Sequence, residues 1–82
     1  MPPKHTQILG TVLRRVREER RITREVLAVR AGLSVGTLAR LELGSSDPTW
    51  STIAALAHAL ELSLEDLGAL VEADEDARER SP

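Results

Sequence analysis

The 82-residue chain contains no cysteine, phenylalanine or tyrosine, and Trp50 is its only aromatic residue. Without cysteine the chain can form neither a disulfide framework nor a thiolate zinc site, which excludes a disulfide-stapled secreted scaffold. No segment approaches the eighteen or so apolar residues of a membrane span, and the first residues lack the apolar stretch of a signal peptide. We therefore expect a cytoplasmic protein without a membrane partner.

Leucine and alanine supply most of the apolar content, with thirteen and ten residues. Both residue types favour helices, whereas the aromatic residues typical of strands are nearly absent. A chain of this length forms one small domain and is too short to enclose a deep substrate cleft. The composition therefore predicts an all-α protein that is stabilised by helix packing.

The net charge of −2 conceals a strong difference between the two halves of the chain. Residues 1–44 contain nine Lys or Arg and four Asp or Glu, whereas residues 45–82 contain two and nine. A basic half suits a polyanion, and an acidic half disfavours indiscriminate adhesion to nucleic acid. The charge pattern is thus compatible with a polyanion-binding face in the first half.

Apolar residues at helical spacing predict five short helices, and no alternation typical of a strand occurs. The first helix is predicted from about Gln7 to about Arg20, with Thr6 as its N-cap. The other four helices are introduced by residues that cap or begin helices: Thr23, Ser34, Pro48–Thr49 and Ser63.

Glycines and charge predict where the helical domain ends. Gly32 and Gly44 mark the ends of the second and third helices, because glycine readily adopts the positive φ that follows a helix. The domain is predicted to cover residues 7–71, after an N-terminal tail over residues 1–6. Residues 72–82 form an acidic C-terminal tail without periodicity, which we expect to be disordered or to fray.

Residues 23–44 carry the pattern with the clearest functional meaning: a capped short helix, a glycine turn and a second capped short helix. This order and spacing predict a helix-turn-helix. Ala28 is small where the two helices cross, and Leu33 and Leu38 fill the angle between them. The arrangement leaves the third helix projecting, and a helix about 10–12 Å in diameter fits the major groove of B-DNA.

Over residues 8–70 the chain resembles the phage-repressor-like, or Xre-type, helix-turn-helix family of bacterial and phage transcription regulators. The resemblance is carried by these residues: Leu13, Arg14, Arg17, Ile22, Thr23, Leu27, Ala28, Ala31, Gly32, Leu33, Ser34, Leu38, Arg40, Leu41, Glu42, Gly44, Pro48, Thr49, Ile53, Ala57, Leu60, Leu62, Ser63, Leu64 and Leu67. It implies a compact, lambda-repressor-like five-helix bundle that binds double-stranded DNA, usually as a homodimer. We therefore expect a sequence-specific transcriptional regulator that occupies an inverted-repeat operator through its third helix.

The resemblance also assigns functional residues by position. The residues expected at the DNA are Arg24, Ser34, Val35, Gly36, Thr37, Ala39, Arg40, Ser45, Ser46 and Trp50. Thr37 and Arg40 are the polar residues expected to read base edges, so DNA shape is expected to supply further specificity. In the family, the residues that match Arg17 and Glu42 usually form an ion pair between the first helix and the recognition helix.

The C-terminal edge of the domain has more apolar residues than a small core needs. They are expected either to close the bundle or, in the interpretation we favour, to form the interface with a twofold mate. These residues are Leu62, Leu64, Leu67, Leu70 and Val71.

A second interpretation of the helix-turn-helix scaffold remains open. Val35, Gly36, Ala39 and Leu43 would give the third helix an apolar face, so the domain could serve as a protein-interaction module, antitoxin-like or anti-regulator, with little DNA specificity. RNA polymerase or another regulatory protein is a further candidate partner. A steep loss of DNA affinity with added salt would distinguish a DNA-binding protein from such a module.

No sequence pattern indicates catalysis. The chain lacks a nucleophile motif, a phosphate-binding loop and paired carboxylates at a catalytic spacing. His58 has no second ligand at a fitting distance along the chain, so we expect a partly buried or interfacial imidazole and not a metal ligand. We therefore expect neither an enzyme nor a cofactor or metal.

Overall fold

A computed structural model describes residues 4–80 of the chain. These residues form five helices and no strand: α1 (Lys4–Glu19), α2 (Arg24–Ala31), α3 (Val35–Glu42), α4 (Trp50–Ala59) and α5 (Leu64–Arg80). The predicted all-α fold of five helices is confirmed. Within the described range, no helix is both long enough and apolar enough to cross a membrane.

Helices α2 to α5 begin at the capping residues that the sequence predicts. The side-chain oxygens of Thr23, Ser34 and Thr49 each accept a hydrogen bond from a backbone N–H group in the first turn that follows. Ser63 does the same, since its Oγ accepts from the N–H of Asp66 at 2.9 Å. These bonds satisfy donors that the first turn of a helix otherwise leaves without a partner.

Both ends of the helical domain differ from the prediction. α1 begins at Lys4, so Thr6 is not an N-cap but a buried residue inside the first turns of the helix. α5 continues to Arg80, so the expectation of disorder is wrong for residues 72–80. Residues 1–3 of the predicted N-terminal tail, and residues 81 and 82, lie outside the described range.

Polar contacts between α1 and the second half of α5 explain why these extra turns are helical. Arg15 Nη1 donates to Asp74 Oδ1 at 3.1 Å, and His5 Nδ1 lies 2.7 Å from Glu75 Oε1. Arg78 Nε also donates to Asp74, at 3.1 Å. The Arg15 hydrogen bond, together with Arg78, lowers the pKa of Asp74 below its ordinary value, although partial burial opposes the shift.

The core lies where the five helices meet and is almost entirely aliphatic. Its largest fully buried side chains are Ile8, Val12, Leu13, Leu27, Leu38, Leu56 and Leu60. Gly10 brings α1 against the end of α3, because a Cβ at this position would lie 2.9 Å from the carbonyl oxygen of Glu42 and closer still to that of Leu41. This close crossing fixes α3 relative to α1.

Candidate DNA-binding surface

The α2–turn–α3 unit has the geometry that its sequence predicts. α2 ends at Gly32, which has a φ of 71° in the left-handed region that glycine adopts without strain. The N–H of Leu33 donates to the carbonyl of Ala28 at 2.9 Å and closes the helix end. Leu38 is fully buried and Leu33 packs against the core. The inner side of α3 is therefore anchored, while its outer side remains accessible.

The outer side of α3 carries a short chain of polar side chains. Ser34 Oγ donates to Thr37 Oγ1 at 2.8 Å, and Arg40 Nη2 donates to the same oxygen at 3.3 Å. Arg40 also lies next to Gly36, since a Cβ on this glycine would be 3.5 Å from Arg40 Nη1. One hydrogen bond uses one of the five N–H donors of a guanidinium, so Arg40 retains donors for another partner.

The remaining predicted residues of this face differ in exposure. Val35 is exposed, whereas Ala39 is half-buried. In the loop after α3, Ser45 Oγ donates to the carbonyl of Arg40 at 3.2 Å, and Ser46 is half-buried.

Trp50, unlike most of the other residues that were expected at the DNA, lies neither on α3 nor in the loop that follows it. Its side chain is 68% exposed, and it begins α4. The indole lines a groove together with residues of α1, α4 and α5, and α3 contributes no described residue to that groove. The sequence placed Trp50 near the DNA-facing loop, but the side of α4 on which its ring lies could not be read from the sequence.

A buried ion-pair network fastens α1, α2 and α3 together. Arg17 Nε donates to Glu42 Oε2 at 2.7 Å, and Arg17 Nη2 donates to Glu42 Oε1 at 3.2 Å. Arg17 Nη1 donates to the carbonyl of Ile22 at 3.0 Å, just before α2. Arg24 adds a second cation, because its Nε and Nη2 both lie 3.0 Å from Glu42 Oε1. One carboxylate at the end of α3 therefore holds an arginine from each neighbouring segment.

The three side chains of this network are buried to different degrees. The side chain of Glu42 is 1% exposed, that of Arg17 is 11% exposed, and that of Arg24 is 35% exposed. The hydrogen bond to Glu42 raises the pKa of Arg17 above its ordinary value, although burial acts in the opposite direction. The network carries one net positive charge, and its most accessible part is Arg24.

The contact between Arg24 and Glu42 is absent from the sequence interpretation, which assigned Arg24 to the DNA backbone alone. One signal could have indicated it. A cation at the first position of a helix opposes the helix dipole, and an anion at the last position of a helix does the same. Arg24 and Glu42 occupy such positions in α2 and α3, so each offsets the unfavourable placement of the other.

The five predicted dimer residues do not form a single surface. Leu64 and Val71 line the groove that contains Trp50. Leu62 and Leu70 line a separate hollow on another side of α5. Leu67 is 2% exposed and belongs to the core, although it also reaches the floor of the groove that contains Trp50, and its role at an interface stays a prediction. Helical periodicity identified apolar positions, but it could not separate those that face the core of the same chain.

His58 lies on an exposed face of α4, so of the two expected positions the partly buried one is wrong and the interfacial one stays a prediction. It occupies the last turn of the helix, where a basic side chain complements the helix dipole. Among residues 4–80, no group of three or more His, Cys, Asp or Glu side chains is arranged to hold a metal ion.

Solved structures of bacterial regulators share this architecture. The clp gene regulator ClgR from Corynebacterium glutamicum is 29% identical, with a TM-score of 0.83 over 96% of this chain and 87% of that chain. The restriction-modification controller protein C.AhdI from Aeromonas hydrophila is 27% identical, with a TM-score of 0.73 over 76% and 94% of the two chains. Controller protein C.Esp1396I, a tetramer in complex with its natural 35 base-pair operator, is 19% identical, with a TM-score of 0.83 over 88% and 95%, which shows likeness of fold alone.

Sequence comparison gives the family. A comparison with curated proteins gives no match. The family model described as a helix-turn-helix domain, however, matches residues 8–70. This match begins in α1, includes the whole α2–turn–α3 unit and ends in α5. The chain therefore belongs to the helix-turn-helix domain family, in agreement with its resemblance to Xre-type regulators.

Proposed function

We propose that the protein is a sequence-specific transcriptional regulator, which binds an inverted-repeat operator as a homodimer with α3 in the major groove. The observation that carries this proposal is the contrast between the two sides of α3. Leu38 and Glu42 anchor the inner side in the core and in the ion-pair network. The outer side presents Thr37 and Arg40, whose donors and acceptors can read base edges.

Specific roles follow for the residues of this face. Arg40 can donate two parallel hydrogen bonds to O6 and N7 of a guanine, and Val35 can pack on a thymine methyl group. Ser34 and Ser45 lie at the two ends of α3, where hydroxyl groups can contact phosphates. Arg24 Nη1 has no partner among the described residues, so it is available to a phosphate while the rest of the guanidinium binds Glu42.

The remaining assigned positions contribute shape more than hydrogen bonds. Gly36 and Ala39 are small, which lets the backbone of α3 approach the groove floor. Ser46 extends the phosphate-contacting loop. Because few polar side chains read bases directly, deformability of the operator is expected to supply part of the specificity.

Charge and relatives support the same function. Residues 1–44, which contain the whole α2–turn–α3 unit, carry nine basic and four acidic residues, so a polyanion is attracted to this half. ClgR is described as a gene regulator, and C.Esp1396I is described in complex with its operator. By analogy, this protein would act in the cytoplasm by occupying promoter DNA.

Fluorescence anisotropy tests the proposal. Labelled DNA from upstream of the protein's own gene is compared with a scrambled duplex, each at about 50 and 200 mM salt. The upstream DNA should bind more tightly, and its affinity should fall steeply with salt because phosphate contacts release counterions. Equal, weak binding of both duplexes would refute sequence-specific regulation.

A pair of arginine variants tests the assigned reading residue. R40A should weaken binding to the specific duplex by roughly 5- to 150-fold, as expected for loss of a bidentate contact worth about 1–3 kcal/mol. Binding to the scrambled duplex should change much less. R30A removes the same charge from an exposed position at the end of α2 and should leave the discrimination between duplexes intact. If R40A discriminates as well as the wild type, Arg40 does not read the operator.

A protein-interaction module is the second candidate, and one observation favours it. Leu43, directly after α3, is 73% exposed, and Val35 at the start of α3 is 41% exposed. Such apolar side chains suit a protein partner such as RNA polymerase or another regulatory protein. The anisotropy experiment separates the candidates, because an apolar protein contact does not produce salt-sensitive DNA binding.

A further inference from the structure

A positively charged cleft of about 490 Å³ opens where α1, α2 and α4 end. Arg20 and Arg21, which follow α1, line it together with Arg30 in the last turn of α2 and Glu61 after α4. Three guanidinium groups and one carboxylate give these side chains a net charge of +2. No described residue of α3 lines the cleft, so it is separate from the surface proposed to bind DNA.

The cations of this cleft have few partners within the chain. The guanidinium groups of Arg21 and Arg30 form no hydrogen bond or ion pair with another of residues 4–80. Arg20 Nη1 lies 3.9 Å from Glu61 Oε2, and the Glu61 side chain is 84% exposed, so this contact is weak. Most of the N–H donors of the three guanidinium groups therefore remain available to a ligand.

The floor of the cleft is apolar. Ala59 and Leu60 are buried, and Ile22 is partly buried against the core. The volume falls within the range of about 300–1,000 Å³ that small-molecule sites occupy. An apolar floor beneath a cationic rim suits a molecule that combines an organic body with anionic groups, whereas an inorganic ion would use the rim alone.

Two of the lining residues replace glycine at a helix end. The helices α1 to α4 all end with the same pair of backbone hydrogen bonds, in which one residue adopts a left-handed conformation. That residue is Gly32 after α2 and Gly44 after α3. After α1 and α4 it is Arg21, with a φ of 57°, and Glu61, with a φ of 59°, and no other non-glycine residue among residues 4–80 has a positive φ. Charged side chains therefore occupy the two positions of the cleft where glycine would relieve backbone strain.

Stabilisation of the helix ends accounts for only part of this arginine content. A cation in the last turn complements the helix dipole, and Arg17 in α1 and Arg30 in α2 occupy such positions. Arg20 and Arg21 lie beyond the last residue of α1. Carbonyl groups in the last turn of α1 already accept backbone hydrogen bonds from residues 20–22, so they do not require a guanidinium. No contact within the described residues gives the side chain of Arg21 a structural role.

We propose that this cleft binds a nucleoside polyphosphate, with the phosphates on Arg20, Arg21 and Arg30 and the base on the apolar floor. Guanidinium groups bind phosphates through parallel, charge-assisted hydrogen bonds, and a chain of two or three phosphates carries several negative charges for the cleft to balance. A planar base can pack on Ile22 and Leu60. A DNA backbone would reach the arginines but would leave the apolar floor without a partner. The inference concerns the protein without DNA and does not depend on the proposed function.

Isothermal titration calorimetry of the full chain tests the proposal, with ATP as the probe and without DNA or divalent cations. The wild type should bind ATP with a Kd below about 1 mM, as expected for a few charge-assisted hydrogen bonds. Adenosine and tripolyphosphate should each bind at least about 10-fold more weakly, because the first lacks the phosphates and the second lacks the base. In NMR spectra of the labelled protein, the amide shifts caused by ATP should centre on residues 20–22, 30 and 59–61.

Two glycine variants separate charge from backbone effects. R21G removes a cation and should raise the Kd for ATP by about 10-fold or more, as expected for the loss of a hydrogen bond between charged groups. E61G removes the carboxylate and should lower the Kd by at least about 3-fold, because like charges repel. Both variants place glycine at a left-handed position, so neither should melt below the wild type. Opposite changes in Kd would identify the effect of charge, since the backbone change is the same.

Two further arginine variants complete the test. R30Q removes the cation that α2 contributes and should also raise the Kd, whatever the stability of R21G. R14Q is the matched control, because Arg14 is an exposed arginine of α1 that does not line the cleft, and R14Q should bind ATP as the wild type does. A wild type that does not bind ATP, tripolyphosphate that binds as tightly as ATP, R21G and R30Q that bind like R14Q, or weaker binding by E61G would each overturn the inference.

DNA measurements examine the other source of phosphate. Without nucleotide, R21G should bind the upstream and the scrambled duplexes as the wild type does. Weaker binding of R21G to both duplexes, with amide shifts on residues 20–22 caused by DNA and not by ATP, would assign the cleft to the DNA backbone and overturn the inference. If neither duplex binds specifically while ATP binding follows the expected pattern, the proposed function fails and the inference stands.

Discussion

Replacing Glu42 with glutamine should destabilise the fold more than any exposed charge change. The substitution keeps the size of the side chain but removes the one anion that holds Arg17 and Arg24. Arg17 would remain 11% exposed without a counterion. Removing one partner of a buried ion pair costs about 3–5 kcal/mol.

This loss is a large part of the total stability. A chain of 82 residues is expected to have a free energy of unfolding of about 4–12 kcal/mol, at about 0.05–0.15 kcal/mol per residue. For a domain of this size, 1 kcal/mol shifts the Tm by about 4–8 °C. E42Q should therefore lower the Tm by at least about 12 °C. If the wild type lies at the low end of this stability range, part of the E42Q population should be unfolded near 37 °C.

Thermal and urea denaturation followed by circular dichroism measure the effect. E18Q is the matched control, because Glu18 pairs with Arg14 at 3.4 Å but both side chains are more than half exposed. E18Q should lower the free energy of unfolding by only about 0.3–0.5 kcal/mol, as is usual for such exposed helix pairs. R24Q should lower the free energy of unfolding by about 1 kcal/mol, a loss between those of E18Q and E42Q, because the two hydrogen bonds from Arg17 to Glu42 remain. A Tm of E42Q within about 4 °C of wild type, or no lower than that of E18Q, would refute this account of the network.

Two further substitutions, G10A and D74N, test the contacts of α1 with α3 and with α5, and G68A is the glycine control. G10A should lower stability by about 1–3 kcal/mol, because its methyl group would collide with the carbonyl oxygens of Leu41 and Glu42, whereas G68A should raise the Tm in the same melting assay. D74N should be less stable than wild type at pH 7. The lowered pKa of Asp74 means that its ionised form stabilises the fold above the ordinary aspartate pKa of about 3.9, and this stabilisation is lost as the pH falls through the lower folded value. The difference in Tm between D74N and wild type should therefore shrink below about pH 4, and an unchanged difference in acid, or a similar result for exposed D76N, would contradict the assignment.

The elements predicted from the sequence are those set by local chemistry. Thr23, Ser34 and Ser63 each bond a backbone N–H in the following turn, so a short window of sequence is sufficient to identify them. Gly32 ends α2 with a positive φ for an equally local reason. The order of these signals was enough to predict the helix-turn-helix.

The elements that sequence reasoning missed depend on residues far apart in the chain. Residues 72–80 are helical although they lack an apolar stripe, and Asp74 reaches an arginine 59 positions away. The contact between Arg24 and Glu42 likewise joins the start of one helix to the end of another. Like the Arg24–Glu42 pair with its unfavourable helix-end charges, Gly10 had a local signal for its remote contact, because a glycine inside a helix usually has a packing reason.

The position of Glu42 also has a consequence for how an operator would be distinguished from other DNA. With two arginines from neighbouring segments on its last residue, α3 has little freedom to roll or tilt on its own. A stiff recognition helix loses little conformational entropy when it binds, which benefits every sequence equally. Any misfit must then be absorbed by bending or twisting the duplex, so base steps that α3 never touches should influence affinity through their flexibility.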